Sequence, residues 1–309
     1  MPSLERPDAA GILADRDPAR RDIAQSRMAG MQNPKVRDHA ATVPAAKVLV
    51  LTPVKDAARH IERYVELLEG LTYPRSLLSV GLLESDSEDG TFEQLLKSRS
   101  RLELRCRQVH ISRRDFGFRI PAGVPRWAPA YQLARRSVLA RSRNHLLFRA
   151  LEDEDWVLWV DADLIRFPAD IVERLLAASR DIVQPHCVLQ EGGATFDLNA
   201  WSEKGTRHMH DFRDAEGPVR LDSVGGTMLL VRADLHRDGL IFPAFRYGME
   251  SPWIRPVHPV WGRGEVETEG LGVMAKDMGV QCWGLPKGTR APTTMTRPGA
   301  GSSGCASHY

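Results

Sequence analysis

No run of apolar residues in the chain of 309 residues approaches the ~18 that a membrane-spanning helix needs. The N-terminus has no apolar stretch of the kind that marks a secretory signal. Cysteine is scarce: Cys106, Cys187, Cys282 and Cys305 stand far apart, with no C-x-x-C among them. That spacing excludes a zinc ribbon and a disulfide framework. It predicts a reducing, cytosolic setting, with contact at a membrane limited to its periphery. A large charge of one sign is missing too. The net +2 is too small for nucleic acid to be a general partner. Gly-x-Ser-x-Gly, the phosphate-cradling P-loop pattern and internal repeats are all absent. What remains is ordinary for a soluble globular protein: 42% apolar and 27% charged residues, in a length that suits one or two domains.

Three segments are expected. Residues 1–46, rich in Ala, Arg, Asp and Pro, carry no sustained apolar period and read as a mobile N-terminal arm. Residues 47–286 form the folded domain. From Pro286 onward Pro, Thr, Gly and Ser dominate, so 287–309 reads as a disordered tail. Within the domain, Val48-Leu49-Val50-Leu51 is the continuous apolar run of a strand buried on both faces, ended by Pro53. Ala57, Ile61, Val65 and Leu68 recur at helical spacing. Leu77 to Leu83 reads as a second strand. Thr91-Phe92-Glu93-Gln94 resembles a capping box opening a helix, and Leu102 to Val109 alternates as a third strand. Residues 111–129 fit no regular element, and a long loop of that kind is usually functional or mobile. A helix is expected from Gln132 to Ala150, then a buried strand at Trp156-Val157-Leu158-Trp159-Val160. Pro168 suits the first turn of a helix carrying Ile171, Leu175 and Ala178. Strands at Asp181–Gln184, Met228–Val231 and Val280–Trp283, and a helix at Glu267–Met278, complete the domain around an irregular 185–220. Strands alternating with helices predict an α/β fold with a mostly parallel sheet. Ligands of such sheets bind beyond the carboxyl ends of the strands.

The chemistry-bearing residues cluster at those ends. Asp-x-Asp occurs also at Asp15–Asp17 and Asp153–Asp155, but only Asp161-Ala162-Asp163 directly follows a buried strand. Two carboxylates there can hold a hard divalent cation that bridges to substrate phosphates. A plain strand-ending turn, with Asp163 in a local hydrogen bond, explains the spacing equally well. In the helix that follows the 111–129 loop, Leu139, Leu146, Leu147 and Ala150 share one side, and Arg141, Asn144 and His145 the other. Arg143 falls among the apolar residues, where an unpaired charge is costly. It either reaches an anionic site, pairs with the acidic run Glu152–Asp155, or extends its head to water. Asp56, and Asp89 or Thr91, are placed to cap the two helices that follow them. Gly225-Gly226 permits close backbone approach or a turn. Glu267 and Glu269 open a helix, where acids suit the macrodipole. His208 and His210 read as solvent-exposed.

Ten short blocks in one order then resemble a family. They run Leu51-Thr52-Pro53-Val54-Lys55-Asp56-Ala57, Leu71-Thr72-Tyr73-Pro74, Ser85-Asp86-Ser87, Arg141-Ser142-Arg143-Asn144 and Trp159-Val160-Asp161-Ala162-Asp163. Phe196-Asp197-Leu198-Asn199-Ala200-Trp201, Leu221-Asp222-Ser223-Val224-Gly225-Gly226, Phe242-Pro243-Ala244-Phe245, Glu267-Thr268-Glu269-Gly270 and Gly284-Leu285-Pro286 follow. Together they resemble the fungal α-1,6-mannosyltransferases of the mannan polymerase complexes, glycosyltransferase family 62. The resemblance implies a GT-A fold, a GDP-mannose donor, a glycan acceptor, Mn²⁺ or another divalent cation, and work within an oligomer or complex. It implies metal binding at Asp161 and Asp163, and nucleotide or donor contacts at Pro53, Asp56, Ser85, Asp86, Arg141, Arg143, Asn144, Gly225 and Gly226. With Asp161 and Asp163, Glu267 and Glu269 fall nearest the chemistry. Retention of α stereochemistry, with no evident nucleophilic carboxylate, points to a front-face transfer in which the leaving diphosphate accepts the acceptor's proton.

Two features depart from the family. No membrane anchor is visible. The family's histidine metal ligand after Gly-Leu-Pro is replaced by Lys287-Gly288-Thr289-Arg290, and the next histidine is His308. Either His308 reaches back, a water fills the position, or the authentic C-terminus is missing, and the change of composition after Pro286 favours the last. The reading is therefore a metal-dependent hexosyltransferase. The rivals are a catalytically silent relative that binds nucleotide-sugar or a partner enzyme, and a nucleotidyltransferase, which shares strand-end carboxylates.

Overall fold

A computed structural model describes residues 46–125, 128–189, 193–249, 263–286 and 295–296. Residues 1–45 of the expected arm, the Lys287–Arg290 segment and His308 lie outside the described residues, while Ala46 is buried against the domain.

Eight strands form the central sheet: β1 Val48–Val54, β2 Leu78–Glu84, β3 Gln108–Arg113, β4 Trp156–Val160, β5 Ile182–Pro185, β6 Val219–Leu221, β7 Met228–Arg232 and β8 Cys282–Leu285. Their spatial order is β3-β2-β1-β4-β7-β5-β8-β6. β1 to β4 are mutually parallel. β7 runs antiparallel between β4 and β5, β8 is parallel to β5, and β6 closes the far edge antiparallel. The six strands β1 to β5 and β8 therefore share a direction, and the sheet is mostly parallel, as expected. Among the described residues six helices accompany it: α1 Ala58–Glu69, α2 Thr91–Arg105, α3 Pro129–Ala150, α4 Ile171–Ala177, α5 Ala233–Arg237 and α6 Glu267–Asp277.

Side chains alternate across a strand, and β1 shows the consequence. Val48 and Val50 face a core shared with Ile61, Tyr64, Leu95, Leu102, Ile171 and Leu175 of α1, α2 and α4. Leu49 and Leu51 face the opposite core, with Ala140, Leu146 and Leu147 of α3 and Leu271 and Ala275 of α6. The sheet is thus a middle layer, buried on both sides.

Several expectations are corrected. Leu102 belongs to α2, not to a strand. Thr91, Leu95, Ser98 and Leu102 are its buried residues, at steps of four, three and four, so the helical period continues past the apparent alternation. β3 starts only at Gln108 and takes in the first residues of the expected 111–129 loop. Pro53 does not end β1, which continues to Val54. Pairing with β4 stops at Leu51, so Pro53 sits where one flank of the strand is free. Thr91 forms no capping box: Gly90, at φ 80°, precedes the helix and no side chain of the cap residue bonds to it. Asp56 does not cap α1 either. Its carboxylate accepts from the Glu88 amide at 3.0 Å, while Asp89 accepts from the Ala58 amide at 2.9 Å. Each loop thus supports the other. Pro168 precedes α4 by a turn, its carbonyl accepting from the Ile171 amide. Within the irregular 185–220, Trp201–Ser202 pairs with Arg207–His208. In the segment expected to be disordered, Met295–Thr296 pairs in parallel with Cys187–Val188. Among the described residues, no helix is long and apolar enough to cross a membrane.

Candidate active site at the carboxyl edge of the sheet

Strand direction collects the site. The carboxyl ends of β1, β2, β4, β5 and β8 and the amino end of β7 lie along one edge. This edge brings together Asp56, Ser85, Asp86, Asp161, Asp163, His186, Gly225, Gly226 and Pro286. Asp161 directly follows β4, and its amide donates to the Thr227 carbonyl at the start of β7, 2.9 Å away. Both Asp161 and Asp163 are half-buried. Pairing β4 with β7 therefore fixes the backbone of the Asp-x-Asp turn.

Arg143 is the hub behind this turn. Its side chain is 2% exposed and packs against the edge-to-face pair of Trp159 and Phe242, with ring centroids 5.5 and 5.2 Å from its guanidinium carbon. Nε lies 2.9 Å from Glu267, and Nη2 lies 3.5 Å from Asp161 and 3.3 Å from the Gly226 carbonyl. Of the pairings open to Arg143, the one with Glu152–Asp155 is excluded. That acidic run is met by Lys47 and Arg107 and, through its backbone carbonyls, by Arg237. Arg143 does not extend to water either. It spans three pieces of the chain that are far apart in sequence, and it orients Asp161 from behind.

Glu267 answers it from the start of α6. It is buried, and its backbone sits at φ 61°, a conformation uncommon for a residue with a side chain. A non-glycine residue held there costs roughly 1–3 kcal/mol and persists only where its surroundings demand it. Here the demand is the Arg143 pair, together with the Thr268 hydroxyl, which donates to Glu267 at 2.8 Å. Glu267 is therefore more than a helix-dipole residue. Glu269 is half-buried, ion-paired with Arg136 at 2.5 Å and hydrogen-bonded to the Trp201 indole at 3.1 Å. Burial, with Glu269 adding to it, raises the pKa of neighbouring Glu265, against the opposing pull of Arg136.

The two glycines serve close approach rather than a plain turn. A Cβ on Gly225 would stand 1.9 Å from the Asp197 carboxylate, and one on Gly226 2.5 Å from Nη2 of Arg143. The Gly225 amide donates to Gln184 at 2.6 Å and the Thr227 amide to Asp197 at 3.1 Å.

The remaining predicted residues take other positions. Ser85 faces Ser142 across 3.2 Å. Burial alone would raise the Asp86 carboxyl. The amides of Phe116 and Gly117, with Lys55, outweigh it and hold the pKa below the ordinary carboxylate value. Asp86 thereby ties the loop after β3 to the end of β2. Asn144 bonds both ways with the backbone of Phe242, at 2.7 and 2.9 Å. Arg141, two residues from Arg143, points to the opposite side of α3, where its guanidinium lies 5.1 Å from the Phe116 ring centroid. The structure does not bring these two arginines together. His208 and His210 are half-buried, with the rings stacked 5.9 Å apart. Lys55, Arg136, Gln184 and Asp197 are site residues that sequence reasoning gave no role. Asp197 and Trp201 lie in one of the recurring blocks, which was the available signal. Arg136 had none.

The Anp1 family model matches residues 27–210 and 204–246. The chain belongs to the Anp1 family. The mannan polymerase II complex anp1 subunit of Schizosaccharomyces pombe is 29% identical over 285 residues, covering 79% of this chain and 63% of that protein. The mannan polymerase complex subunit MNN9 of Candida albicans is also 29% identical over 285 residues, covering 78% of this chain and 73% of its own. The chain thus spans under two thirds of the length of the first of these relatives. The fold is of GT-A glycosyltransferase type. The mannosyltransferase PcManGT of Pyrobaculum calidifontis, solved with GDP-Man and Mn²⁺, superposes at a TM-score of 0.50 and 17% identity, covering 90% of this chain and 65% of its own. At that identity the likeness speaks to the fold alone.

Proposed function

We propose that this Anp1-family chain transfers a hexose, mannose, from GDP-mannose to a glycan hydroxyl with retention, as an α-1,6 link, and that it uses Mn²⁺ or another divalent cation. The observation that carries the reading is the Asp161–Asp163 turn at the carboxyl end of β4, with Asp161 oriented by the buried Arg143–Glu267 pair. The names of the mannan polymerase relatives support it.

The residues fit a hard divalent cation. Mg²⁺ and Mn²⁺ favour oxygen donors, and Mg²⁺ is usually held by one or two carboxylates together with substrate phosphates rather than by an all-protein cage. No cluster of three or more potential metal-ligating side chains occurs among the described residues, so Asp161 and Asp163 would be the protein's share of such a site. When bound, the cation neutralises charge developing on the leaving diphosphate. In the transfer, the bond from the anomeric carbon to the diphosphate oxygen breaks and a bond to the acceptor oxygen forms on the same face. The acceptor's proton passes to the departing diphosphate. Arg143 and Glu267 act as positioning residues through Asp161, and Glu269 stands beside them, held by Arg136 and Trp201.

Calorimetric titration of GDP with and without Mn²⁺ tests the site. Mn²⁺ should tighten GDP binding at least tenfold in the native chain and leave it unchanged in Asp161→Asn. An equal effect of Mn²⁺ on both proteins would remove Asp161 from the site.

A further inference from the structure

A second cluster of cationic side chains lies across α3 from Asp161. Arg141 and Arg143 are separated by two residues, hence by about 200° around the helix. Their contacts agree: Arg143 meets Asp161, Glu267 and Gly226, and Arg141 meets Phe116. The body of α3, about 10 Å across with its side chains, stands between the two clusters.

On the far side two guanidiniums pack on the ring of Phe116. The central carbon of Arg114 lies 5.4 Å from the ring centroid and that of Arg141 lies 5.1 Å away. Both arginines are exposed. No carboxylate pairs with either among the described residues. The carboxylates nearby are occupied. Asp86 accepts from the amides of Phe116 and Gly117, Asp115 accepts from the Asp86 amide and pairs with Arg113, and Glu84 pairs with Arg113. Arg114 donates one hydrogen bond, to Nδ1 of His145 at 2.8 Å. A guanidinium cannot accept, so this Nδ1 carries its lone pair and the ring is neutral. Burial, then Arg114 and Arg149, lowers the His145 pKa in the same sense. Arg141 donates no hydrogen bond among the described residues.

Packing against an aromatic face holds a guanidinium in place without using its N–H groups. Two forks are therefore restrained in position, with most of their donors open to solvent. Planar forks of this kind bind phosphate oxygens through paired hydrogen bonds, and restraint before binding lowers the entropy lost on binding. The loop that carries Arg114 and Phe116 is itself tied down by Asp86.

We propose that Arg114 and Arg141, both packed on the Phe116 ring, form a phosphate-binding clamp that works without a metal and is separate from the Asp161–Asp163 turn. Its ligand is a phosphate or diphosphate group, arriving either free or as the tail of a nucleoside diphosphate. The proposal does not rest on the transferase reading, since its readout is anion binding in the absence of metal.

The test is calorimetric titration of inorganic pyrophosphate, and separately of GDP, into the full chain in EDTA at low salt. The proteins are the native chain, Arg114→Gln, Arg141→Gln, Arg149→Gln and Asp161→Asn, each first checked for an unchanged Tm. Pyrophosphate is expected to bind the native chain, to lose at least tenfold in affinity in Arg114→Gln and Arg141→Gln, and to change less than twofold in Asp161→Asn. Arg149→Gln removes an exposed arginine of the same region that does not pack on Phe116. It should also stay within twofold, which separates a built clamp from a diffuse positive field. If GDP shows the same dependence on Arg114 and Arg141, the group is the nucleotide's tail. If pyrophosphate alone shows it, the group is a free phosphate. Absence of metal-free pyrophosphate binding, equal loss in Arg149→Gln, or loss in Asp161→Asn would overturn the proposal.

Discussion

Arg143 carries a full charge inside the protein at 2% exposure, and Glu267 is the partner that makes this tolerable. Removing one member of a buried pair leaves the other charged and unpaired, which typically costs about 3–5 kcal/mol. Arg143→Ala should therefore lower unfolding stability in urea by about that amount, in addition to any effect on nucleotide affinity. Unchanged stability would contradict the pairing. Gly226→Ala acts on the same hub from the backbone. Its Cβ would arrive 2.5 Å from Nη2 of Arg143, and that guanidinium, buried and held by Glu267 and Asp161, has little room to retreat. A loss of about 1–3 kcal/mol, the usual cost of overpacking, is expected in the same urea assay. The loss should shrink in the Arg143→Ala background, because the clash is with Arg143. Residue types at these positions were readable from the sequence. Asp161 and Asp163 stood out because a buried strand leads directly into them, and Arg143 because it broke an apolar face. Its partner was not readable, because Glu267 lies more than a hundred residues away and the contact depends on how α6 docks.

The short helix α5 places His236 in the core, with its ring across from Trp159 at 6.2 Å and its Nδ1 2.7 Å from the Leu240 carbonyl. Burial drives its pKa down to about 4, against the Leu240 hydrogen bond, which opposes the shift. An unfolded histidine titrates near 6.5, so between these values the unfolded chain binds a proton that the folded chain does not. Stability is then fully present above about pH 6.5 and is lost as the pH falls towards 4. Between pH 7 and pH 5 the loss attributable to His236 should be about 2 kcal/mol. His236→Phe should flatten the urea-measured slope by about one proton, and an unchanged slope would contradict the burial account. Elements were legible where the pattern is local. β1 and β4 announce themselves as unbroken apolar runs, and α3 by its spacing. The end of α2 was misread because Leu102 to Val109 fits a two-residue period as well as a helical one until Leu102 is seen on the buried face with Leu95. The mutual support of Asp56 and Asp89 is a contact between two loops, and neither stretch of sequence carries it alone.

At the scale of the molecule, strand order decides which residues meet. Inserting β7 antiparallel between β4 and β5 brings Gly225 and Gly226 beside Asp161, and no periodicity in the sequence encodes that pairing. The ordered blocks conveyed the fold and family. They could not convey that Arg141 and Arg143 face opposite ways, which follows only once α3 is set against the sheet. The central claim is metal-dependent transfer from a GDP-sugar at Asp161 and Asp163. It is tested most directly by following GDP release from GDP-mannose, with and without Mn²⁺, in the native chain and in Asp161→Asn. Slow release that requires Mn²⁺ and disappears in the variant is the predicted result. Binding of GDP without release in the native chain would mark a silent relative and contradict the claim, as would release that is unaffected by Asp161→Asn.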